Sequence, residues 1–493
     1  MILRTYVSLL CRTLVYTCLT RVSSCALLSG PDDNGEEYKQ SKPRITAQPK
    51  DQPGTPGGSV TFSISASRAE SYQWKRNGSD IPEATGNQYT LSGITDADTA
   101  NRYTCVVSNS SGIVTSQEAA VVFGINYPFP TKAFYAAGIA PDPVNISTQR
   151  IQNLYEEWKE NMYVENPEQT MARIKFDDEE YTVSEGIAYG LLIMVYMESR
   201  KNDTRDEFNR LWNYYSNFTN RHGLMDWKIK GFEEAEGHNG ATDADLDAAM
   251  ALLLAWKQWG DTDYYNAALS LIENIRDYEV DASGHLKPGD VWNDAKNPSY
   301  LSTAALRIFS IIEPQQSAFW TDVLNNSYTL LSDAQHQNSG LVPDWCNTSG
   351  VPTTMDGEIL TGEVLFGHDA VRTPWRTTWD YLWFGERRAR DFNLKIAEWV
   401  KDVSASHELE EFSTEDLNLS GTSLKGDYIN TLYVSAWAYS AMCSEEYSSM
   451  LNDMYSECVN GRSADKDINR YFQGTLLIIN SVTLSGHLWN PWR

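Results

Sequence analysis

Two patterns of hydrophobic and polar positions divide the 493-residue chain. Over residues 44–124, apolar and polar side chains alternate with a period of two, and Gly, Asn and Pro interrupt the alternation. That pattern is typical of β-strands with one buried face. From Tyr127 onward, stretches such as EGIAYGLLIMVYM and ADLDAAMALLLAWKQW carry apolar residues at helical spacing and are broad enough to be buried on more than one side. The pattern predicts a small all-β domain followed by a large all-α domain.

The helical domain, residues 125–493, is too long for a simple bundle. Loops rich in Gly, Pro, Asp and Trp separate its apolar stretches, and it contains all of the 16 tryptophans except Trp74. Alternating buried helices and long loops favour a helical barrel in which the loops at one end form a cleft. Aromatic side chains that line a site are therefore expected in this domain.

The β domain resembles an immunoglobulin-like sandwich in the segments GGSVTFSIS, SYQWKRNG and ITDADTANRYTCVVSNSSG. The resemblance makes Trp74 the core tryptophan of the third strand, Tyr103 the corner tyrosine, and Cys105 the cysteine that follows it. Ile64 stands where the partner cysteine is expected, so the resemblance implies that no bridge forms and that Cys105 packs against Trp74 and Ile64. We expect this domain to be a spacer or a weak anchor.

Residues 1–30 have a basic start and short apolar stretches that Arg12 and Arg21 interrupt. These stretches are shorter than the ~18 residues that a transmembrane helix needs, so we predict an export signal, with a polar linker over residues 31–43. Residues 22–25 resemble a bacterial lipobox, which makes Cys25 a candidate lipid anchor. An ordinary signal peptide and a misassigned start codon are the alternatives. The prediction is a secreted or cell-surface protein.

Charge and composition exclude several classes of partner and of binding site. Lys and Arg total 40 and Asp and Glu total 66, a formal net charge of −26, so we expect no nucleic-acid partner. The seven cysteines show no CxxC pair and no Cys/His ligand spacing, and we predict neither a metal site nor a cofactor. The 16 Trp, 27 Tyr and 15 Phe offer flat surfaces suited to sugar rings, although a large helical core also uses aromatic residues. We expect a monomer.

Acidic residues lie at the predicted starts of three buried helices. Glu185 falls in the first turn of the segment YTVSEGIAYGLLIMV, and Asp369 lies where a loop enters a helix in GHDAVRTPWRTTWDYLWF. In NGATDADLDAAMALLLAWKQW, Thr242 is the predicted N-cap, and three acids crowd the first turn: Asp243, Asp245 and Asp247. Helix capping and salt-bridged helix faces are the alternatives. Two separated carboxyl groups are what cleavage of a glycosidic bond requires. No GxSxG, HExxH, phosphate-loop or dinucleotide motif competes.

Residues from about 127 to 491 resemble glycoside hydrolase family 8. The segments that carry the resemblance are ATDADLDAAMALLLAWKQW, SEGIAYGLL, LKPGDVW, NPSYLS, SGLVPDWCNTSG and DAVRTPWRTTWDYLWFGERRA. Ala248 departs from the pattern, since Ile or Met is usual there. The resemblance implies an (α/α)6 barrel that cleaves a β-1,4-linked polysaccharide with inversion at the anomeric carbon.

The resemblance also implies roles for individual residues. Glu185 becomes the proton donor, Asp369 the base that activates water, and Asp243 a ligand of the sugar ring beside the scissile bond. Arg372 is expected to orient Asp369 and keep it ionised. Three aromatic residues are expected under sugar units, with burial in the core as the alternative: Trp227, Trp292 and Tyr300. Inversion implies roughly 6.5–9.5 Å between the two catalytic carboxyl groups.

His368 stands immediately before the proposed base, where many relatives carry Tyr. An imidazole at this position either tunes the pH optimum or fills the same space.

The segments look closest to the endoglucanase branch, so we favour β-1,4-glucan as substrate, with β-1,4-xylan second and chitosan third. Two functions of other classes compete. One is a non-catalytic carbohydrate-binding protein, and the other gives the main role to the sandwich as an adhesion or sugar-binding module.

Overall fold

The computed structural model describes residues 41–54, 57–124, 126–133, 135–136, 142–199 and 201–492. The predicted export signal, Cys25 and all but the end of the predicted linker lie outside these residues. Within the described ranges, none of the helices combines the length and the apolarity that crossing a membrane demands.

The first domain is built from short antiparallel strands around a small core. In β8 every second residue points inward, so Tyr103, Cys105 and Val107 are buried while their neighbours are not. Trp74 pairs with Cys105 across β5 and β8, and its Nε1 donates to the Gly86 carbonyl at 3.0 Å. The strands of this domain are β1 (Arg44–Ala47), β2 (Gln52–Pro53), β3 (Ser59–Ser63), β4 (Ser65–Ser67), β5 (Ser71–Arg76), β6 (Ser79–Asp80), β7 (Gln88–Ser92), β8 (Tyr103–Asn109), β9 (Gly112–Thr115) and β10 (Val121–Val122), with the one-turn helix α1 (Asp96–Thr99) before β8.

These strands form two main sheets, β3–β7 and β6–β5–β8–β9, with the pairs β1–β4 and β10–β2 beside them. Phe62 on the first sheet stacks on Tyr103 of the second, with ring centroids 4.6 Å apart. Cys105 is a free, buried thiol in the same apolar cluster as Trp74 and Ile64. The predicted all-β domain and its unbridged core are thus confirmed.

The second domain is a barrel of two concentric rings of six helices. The inner helices are rich in apolar residues and buried along nearly their whole length, whereas the outer helices bury one face and expose a polar one. The inner ring is α3 (Ser184–Met197), α5 (Thr242–Trp259), α7 (Thr303–Ile312), α9 (Thr373–Phe384), α11 (Thr431–Ala441) and α14 (Tyr471–Leu484). The outer ring is α2 (Thr148–Met162), α4 (Arg205–Asn217), α6 (Thr262–Tyr278), α8 (Ser317–Ala334), α10 (Arg387–Ser404) and α12 (Ser448–Tyr455).

Each inner helix packs against its neighbours in the ring, and α14 closes the ring by packing on α3. Inner and outer helices alternate along the chain, so the six inner helices run in the same direction and begin at one end of the barrel. Five strands and a short helix decorate the connections: β11 (Tyr163–Glu165), β12 (Ala172–Ile174), β13 (Tyr181–Val183), β14 (Lys228–Lys230), β15 (Glu234–Gly237) and α13 (Arg462–Asp467). The predicted helical barrel is confirmed, and its loops converge where the inner helices start.

The two domains meet through backbone contact. Gly260 ends α5 in the left-handed conformation, at φ +75°, and a Cβ on Gly124 would lie 2.6 Å from its amide nitrogen. The Gln258 side chain accepts from the amide of Tyr127 at 2.6 Å and donates to its carbonyl at 3.1 Å. Only glycine permits this approach, so the segment that follows the last strand of the β domain rests directly on the C-terminal end of α5.

Candidate active site

Arg372 is the centre of a buried cluster at the end of the barrel where the inner helices begin. It closes the 3₁₀ turn 370–372 that leads into α9, and its side chain is almost inaccessible to solvent. Its Nη1 donates to Glu185, to Asp243 at 2.8 Å and to the Tyr189 hydroxyl at 3.0 Å. Its Nη2 donates to Asp369 at 2.5 Å. One guanidinium therefore gathers three carboxyl groups that are far apart in the sequence.

Glu185 occupies the first turn of α3, as predicted. Its Oε2 accepts from Arg372, and its Oε1 accepts from the Tyr471 hydroxyl at 2.8 Å. Burial raises the pKa of Glu185 to about 7, and the neighbouring Asp243 carboxyl adds to the rise, while the Arg372 charge opposes it. This carboxyl group can hold its proton near neutral pH and still release it.

Asp369 precedes the 3₁₀ turn before α9, which confirms that it lies where a loop enters a helix. Burial raises its pKa and the Arg372 guanidinium opposes the rise. Asp344 lies beside it and accepts from the Ala370 amide at 2.7 Å through Oδ1, which ties the loop of Asp369 to the segment that contains Asp344. Burial together with the Asp369 charge raises the pKa of Asp344 to about 6.

The three acids at the start of α5 have three different partners. Asp243 binds Arg372, Asp245 accepts from the Tyr215 hydroxyl, and Asp247 forms a bidentate pair with Arg376 at 2.5 and 2.7 Å. All three are buried. This explains why the turn carries more acid than capping requires, since side chains at alternate positions face different elements. The prediction of Thr242 as N-cap is wrong, because the helix begins at Thr242 and Ala241 precedes it.

Asp245 lies next to a second buried acid, Glu279, which follows α6. A Cβ on Gly240 would lie 3.0 Å from Asp245 Oδ2 and 3.2 Å from Glu279 Oε1. Burial raises the pKa of Asp245 to about 7, and burial beside Asp245 raises the pKa of Glu279 well above its ordinary value. Neither forms a salt bridge within the described part of the chain. Two such groups cannot both be ionised, so the pair holds a proton near neutral pH.

Glu279→Gln is expected to make the free energy of unfolding less sensitive to rising pH. The folded pKa values are raised, so the folded protein binds more protons than the unfolded chain once pH exceeds about 4, and the free energy of unfolding falls as pH rises from there through about 7, the folded pKa of Asp245. The neutral amide removes one of the two competing charges. Melting curves from pH 4 to 8 should show a smaller fall for the variant, by about 1–3 kcal/mol. The exposed Glu233→Gln is the matched control. Parallel curves for Glu279→Gln and the parent would disprove the shared proton.

The predicted aromatic residues lie around the same end of the barrel. Trp227 is 40% exposed, and its carbonyl accepts from the amide of Ser184, directly before Glu185. Tyr300 lies under Arg372, with the guanidinium 5.4 Å from the ring centroid. Trp345 packs between Tyr300 and Trp292, with ring centroids 5.9 and 5.1 Å away. Since Trp292, Tyr300 and Trp345 are half-buried, the structure offers a partly open row of rings beside the carboxyl cluster.

His368 is exposed at the edge of the cluster. Its ring lies 6.1 Å from that of Phe472 and 6.4 Å from that of Tyr433. When protonated, it lowers the pKa of Asp369 through its charge.

Four residues of the cluster escaped prediction from the sequence: Tyr189, Asn297, Asp344 and Tyr471. Tyr471 is the first residue of α14, and a Cβ on Gly186 would lie 2.9 Å from its ring. The glycine after Glu185 therefore admits the Tyr471 ring, which was a signal available in SEGIAYGLL. Asp344 and Asn297 lie in SGLVPDWC and NPSY, two of the segments that carry the family resemblance, but the resemblance implies no role for either residue.

Comparison with known proteins identifies both domains. The model of the glycosyl hydrolases family 8 matches residues 128–480, and an immunoglobulin domain model matches residues 42–109. Endoglucanase 2 of Ruminiclostridium josui is 32% identical over 377 residues, which cover 74% of this chain and 77% of that protein. A reducing end xylose-releasing exo-oligoxylanase of Halalkalibacterium halodurans is 25% identical over 292 residues, or 52% of this chain and 71% of that protein.

A β-1,3-1,4-glucanase from Paenibacillus sp. X4 shares the fold, with a TM-score of 0.65 and 24% identity over 74% of this chain and 99% of that one.

Proposed function

The chain belongs to glycosyl hydrolase family 8, and on that premise we propose that it is an endo-acting, inverting hydrolase of a β-1,4-linked glucan. The observation that carries this proposal is the cluster in which Arg372 holds Glu185, Asp243 and Asp369 together. Burial raises the pKa of Glu185 to about 7, which suits an acid, and the Arg372 guanidinium opposes the rise at Asp369, which suits a base.

In the proposed reaction, Glu185 is the general acid and Asp369 the general base. The bond between the anomeric carbon and the glycosidic oxygen breaks, and its electron pair leaves with that oxygen, which takes the proton of Glu185. A water oxygen attacks from the opposite face, and its proton passes to Asp369. Exchange of one proton with solvent at each residue restores the starting state. Asp243 binds the sugar ring beside the scissile bond.

Arg372 supports both groups at once. Its positive charge keeps Asp369 ionised, and its bond to Glu185 fixes the orientation of the acid. Tyr471 holds the other oxygen of Glu185. The ring row formed by Tyr300, Trp345 and Trp292, with Trp227 near Ser184, supplies flat faces on which sugar units stack.

Glucan is favoured over xylan because the relative named endoglucanase matches a larger share of the chain at higher identity than the relative named exo-oligoxylanase. Xylan stays the second candidate. A polymeric substrate lies outside the cell, which supports the predicted secretion. Cys25 remains the candidate lipid anchor. The proposed enzyme is a monomer.

The test is reducing-sugar release from carboxymethyl cellulose, lichenan, xylan and chitosan. We expect release from the first two, with a rapid fall in viscosity because internal bonds are cut. Proton NMR of the first products should show the α-anomer before mutarotation. An initial β-anomer would refute inversion, and a folded enzyme inactive on both glucans would refute the substrate.

His368→Tyr is expected to move the acidic limb of the kcat/KM profile upward by up to about half a pH unit. The tyrosine removes a positive charge that favours ionised Asp369, so the pKa of Asp369 rises and the base is lost at a higher pH. Profiles measured between pH 4 and 8 decide the matter. If the variant and the parent overlay, His368 only fills space.

A further inference from the structure

The Asn297 side chain is locked in one orientation beside the proposed base. It precedes the 3₁₀ turn Pro298–Tyr300 that leads into α7. Its Oδ1 accepts from the backbone amide of Ser299 at 2.9 Å and from the Ser299 hydroxyl at 2.8 Å. A flipped amide would set its NH2 group against the Ser299 amide donor, so the oxygen must face Ser299. The amide nitrogen therefore points the other way.

That nitrogen is a buried donor with no assigned acceptor. Asn297 is 3% exposed, and Nδ2 has no hydrogen-bond partner among the residues that the structure describes. The turn Pro298–Tyr300, which follows Asn297, packs against the turn 370–372, which follows Asp369, and the Tyr300 ring lies 5.4 Å from the Arg372 guanidinium. The Asn297 side chain also lowers the pKa of Asp369, as a donor beside a carboxylate does. Arg372 occupies Oδ1 of that carboxylate. Buried N–H groups nearly always donate a hydrogen bond, so the expected acceptor for Nδ2 is the Asp369 carboxylate.

We propose that Asn297 is a positioning residue for the general base, its Nδ2 donating to ionised Asp369 and holding that carboxylate toward the attacking water. The inference rests on the proposed function, in which Asp369 is the base. Arg372 fixes one side of the carboxylate, and the amide fixes the other. An amide adds direction without adding charge, so Asp369 can still accept a proton. The competing explanation is that Asn297 only closes the turn at Pro298–Tyr300.

Several other charged or titratable groups face Asp369 and set the background against which a pH effect is measured. They come from the starts of α3, α5, α7 and α9 and from the loop before α9: Glu185, Asp243, Tyr300, Asp344, His368 and Arg372. None of them changes in a variant of Asn297, so a shift of the acidic limb reports the missing donor.

The test compares Asn297→Ala with two controls on the full-length protein. Ser299→Ala removes one donor to Asn297 Oδ1 but keeps the amide. Asn480→Ala removes a buried amide of α14 that bonds Tyr439 and Ser435 instead of the acid cluster. We expect Asn297→Ala to lower kcat about 10- to 100-fold and to move the acidic limb of kcat/KM up by about one pH unit, with KM little changed. Both controls should keep the parental limb.

Asn297→Ser covers the case in which the alanine variant does not fold. Serine keeps a side-chain oxygen for the Ser299 amide but lacks the amide donor, so it should show the same shift. A lower kcat with an unmoved acidic limb in either variant would overturn the proposal in favour of a turn-closing role.

A second readout separates this inference from the substrate assignment. The pKa of Asp369, followed by 13C NMR of labelled aspartate carboxyls and assigned with Asp369→Asn, should rise in Asn297→Ala whatever the polymer is. An unchanged pKa overturns the inference even if glucan is hydrolysed. A raised pKa in an enzyme inactive on glucan keeps the inference and removes the proposed substrate.

Discussion

Glu185→Gln is expected to lower kcat on β-1,4-glucan by about a thousandfold or more, because general acid catalysis contributes roughly 10²- to 10⁴-fold and the natural leaving group is a poorly stabilised sugar alkoxide. Glutamine has the same shape, so its amide oxygen can still accept from Arg372 while its NH2 group donates to the Tyr471 hydroxyl. It has no proton to give to the departing oxygen. Substrate binding should therefore change far less than kcat.

The pH profile gives this prediction a second signature. Glu185 must be protonated to act, and burial raises its pKa to about 7, so the parental kcat/KM should fall as pH rises through about 7. The amide of the variant does not titrate, so its residual activity should lose that basic limb. An exposed acid replaced in the same way, Glu233→Gln, should keep both the rate and the limb.

A substrate with an activated leaving group tests the role itself. An aryl β-cellobioside with a strongly acidic phenol needs little help from an acid, so the loss in Glu185→Gln should shrink to about tenfold or less. If the variant loses as much on the aryl substrate as on the polymer, Glu185 is not the acid.

Local patterns in the sequence predicted the parts of the site that lie at helix starts. Glu185 and Asp243 each stand within the first turn of a buried helix, where the apolar run that follows marks the position. Helical periodicity likewise predicted an all-α domain with the form of a helical barrel, period-two alternation predicted the β domain, and the (α/α)6 arrangement was implied by the family resemblance. The spacing of residues along the sequence could not predict which helix starts lie close together in the structure.

The missed contacts are those with long separations along the chain. Tyr471 donates to Glu185, which lies 286 residues before it in the chain. No local sequence pattern at the first residue of an apolar helix predicts such a partner. Arg376 and Asp380 follow Arg372 at helical intervals, the spacing on which the alternative of a salt-bridged helix face depends. They instead pair with residues of other inner helices, Arg376 with Asp247 of α5 and Asp380 with Arg307 of α7. Helical spacing reports which residues share a face, not which element lies opposite.

The same distinction applies to Asn297. Its turn can be read from NPSY, since Asn caps such turns, and the structure has this bond to the Ser299 amide. The role of the amide nitrogen Nδ2 can be inferred only from the structure, in which Asp369 lies beside Asn297. The limits of the domains and the catalytic roles stay predictions for the experiments to decide.

Asp369→Asn is expected to lower kcat by about a thousandfold or more as well, and to do so on every leaving group. The asparagine can still accept from Arg372, so the buried guanidinium keeps its partners, but it cannot take a proton from water. An activated aryl leaving group does not relieve this defect, because the attack of water is still unassisted. The melting temperature should stay near the parental value.

The two variants measured on the two kinds of substrate assign the roles without reference to the family. If activity recovers on the aryl substrate in Glu185→Gln but not in Asp369→Asn, Glu185 is the acid and Asp369 is the base, as proposed. The reverse pattern exchanges the roles. Recovery in both would mean that neither carboxyl activates water, and the base would then have to be sought in Asp243 or Asp344, the other carboxyl groups that act on Asp369 through their charge. Burial and the Asp369 charge raise the pKa of Asp344 to about 6, which lies near the value expected of a base.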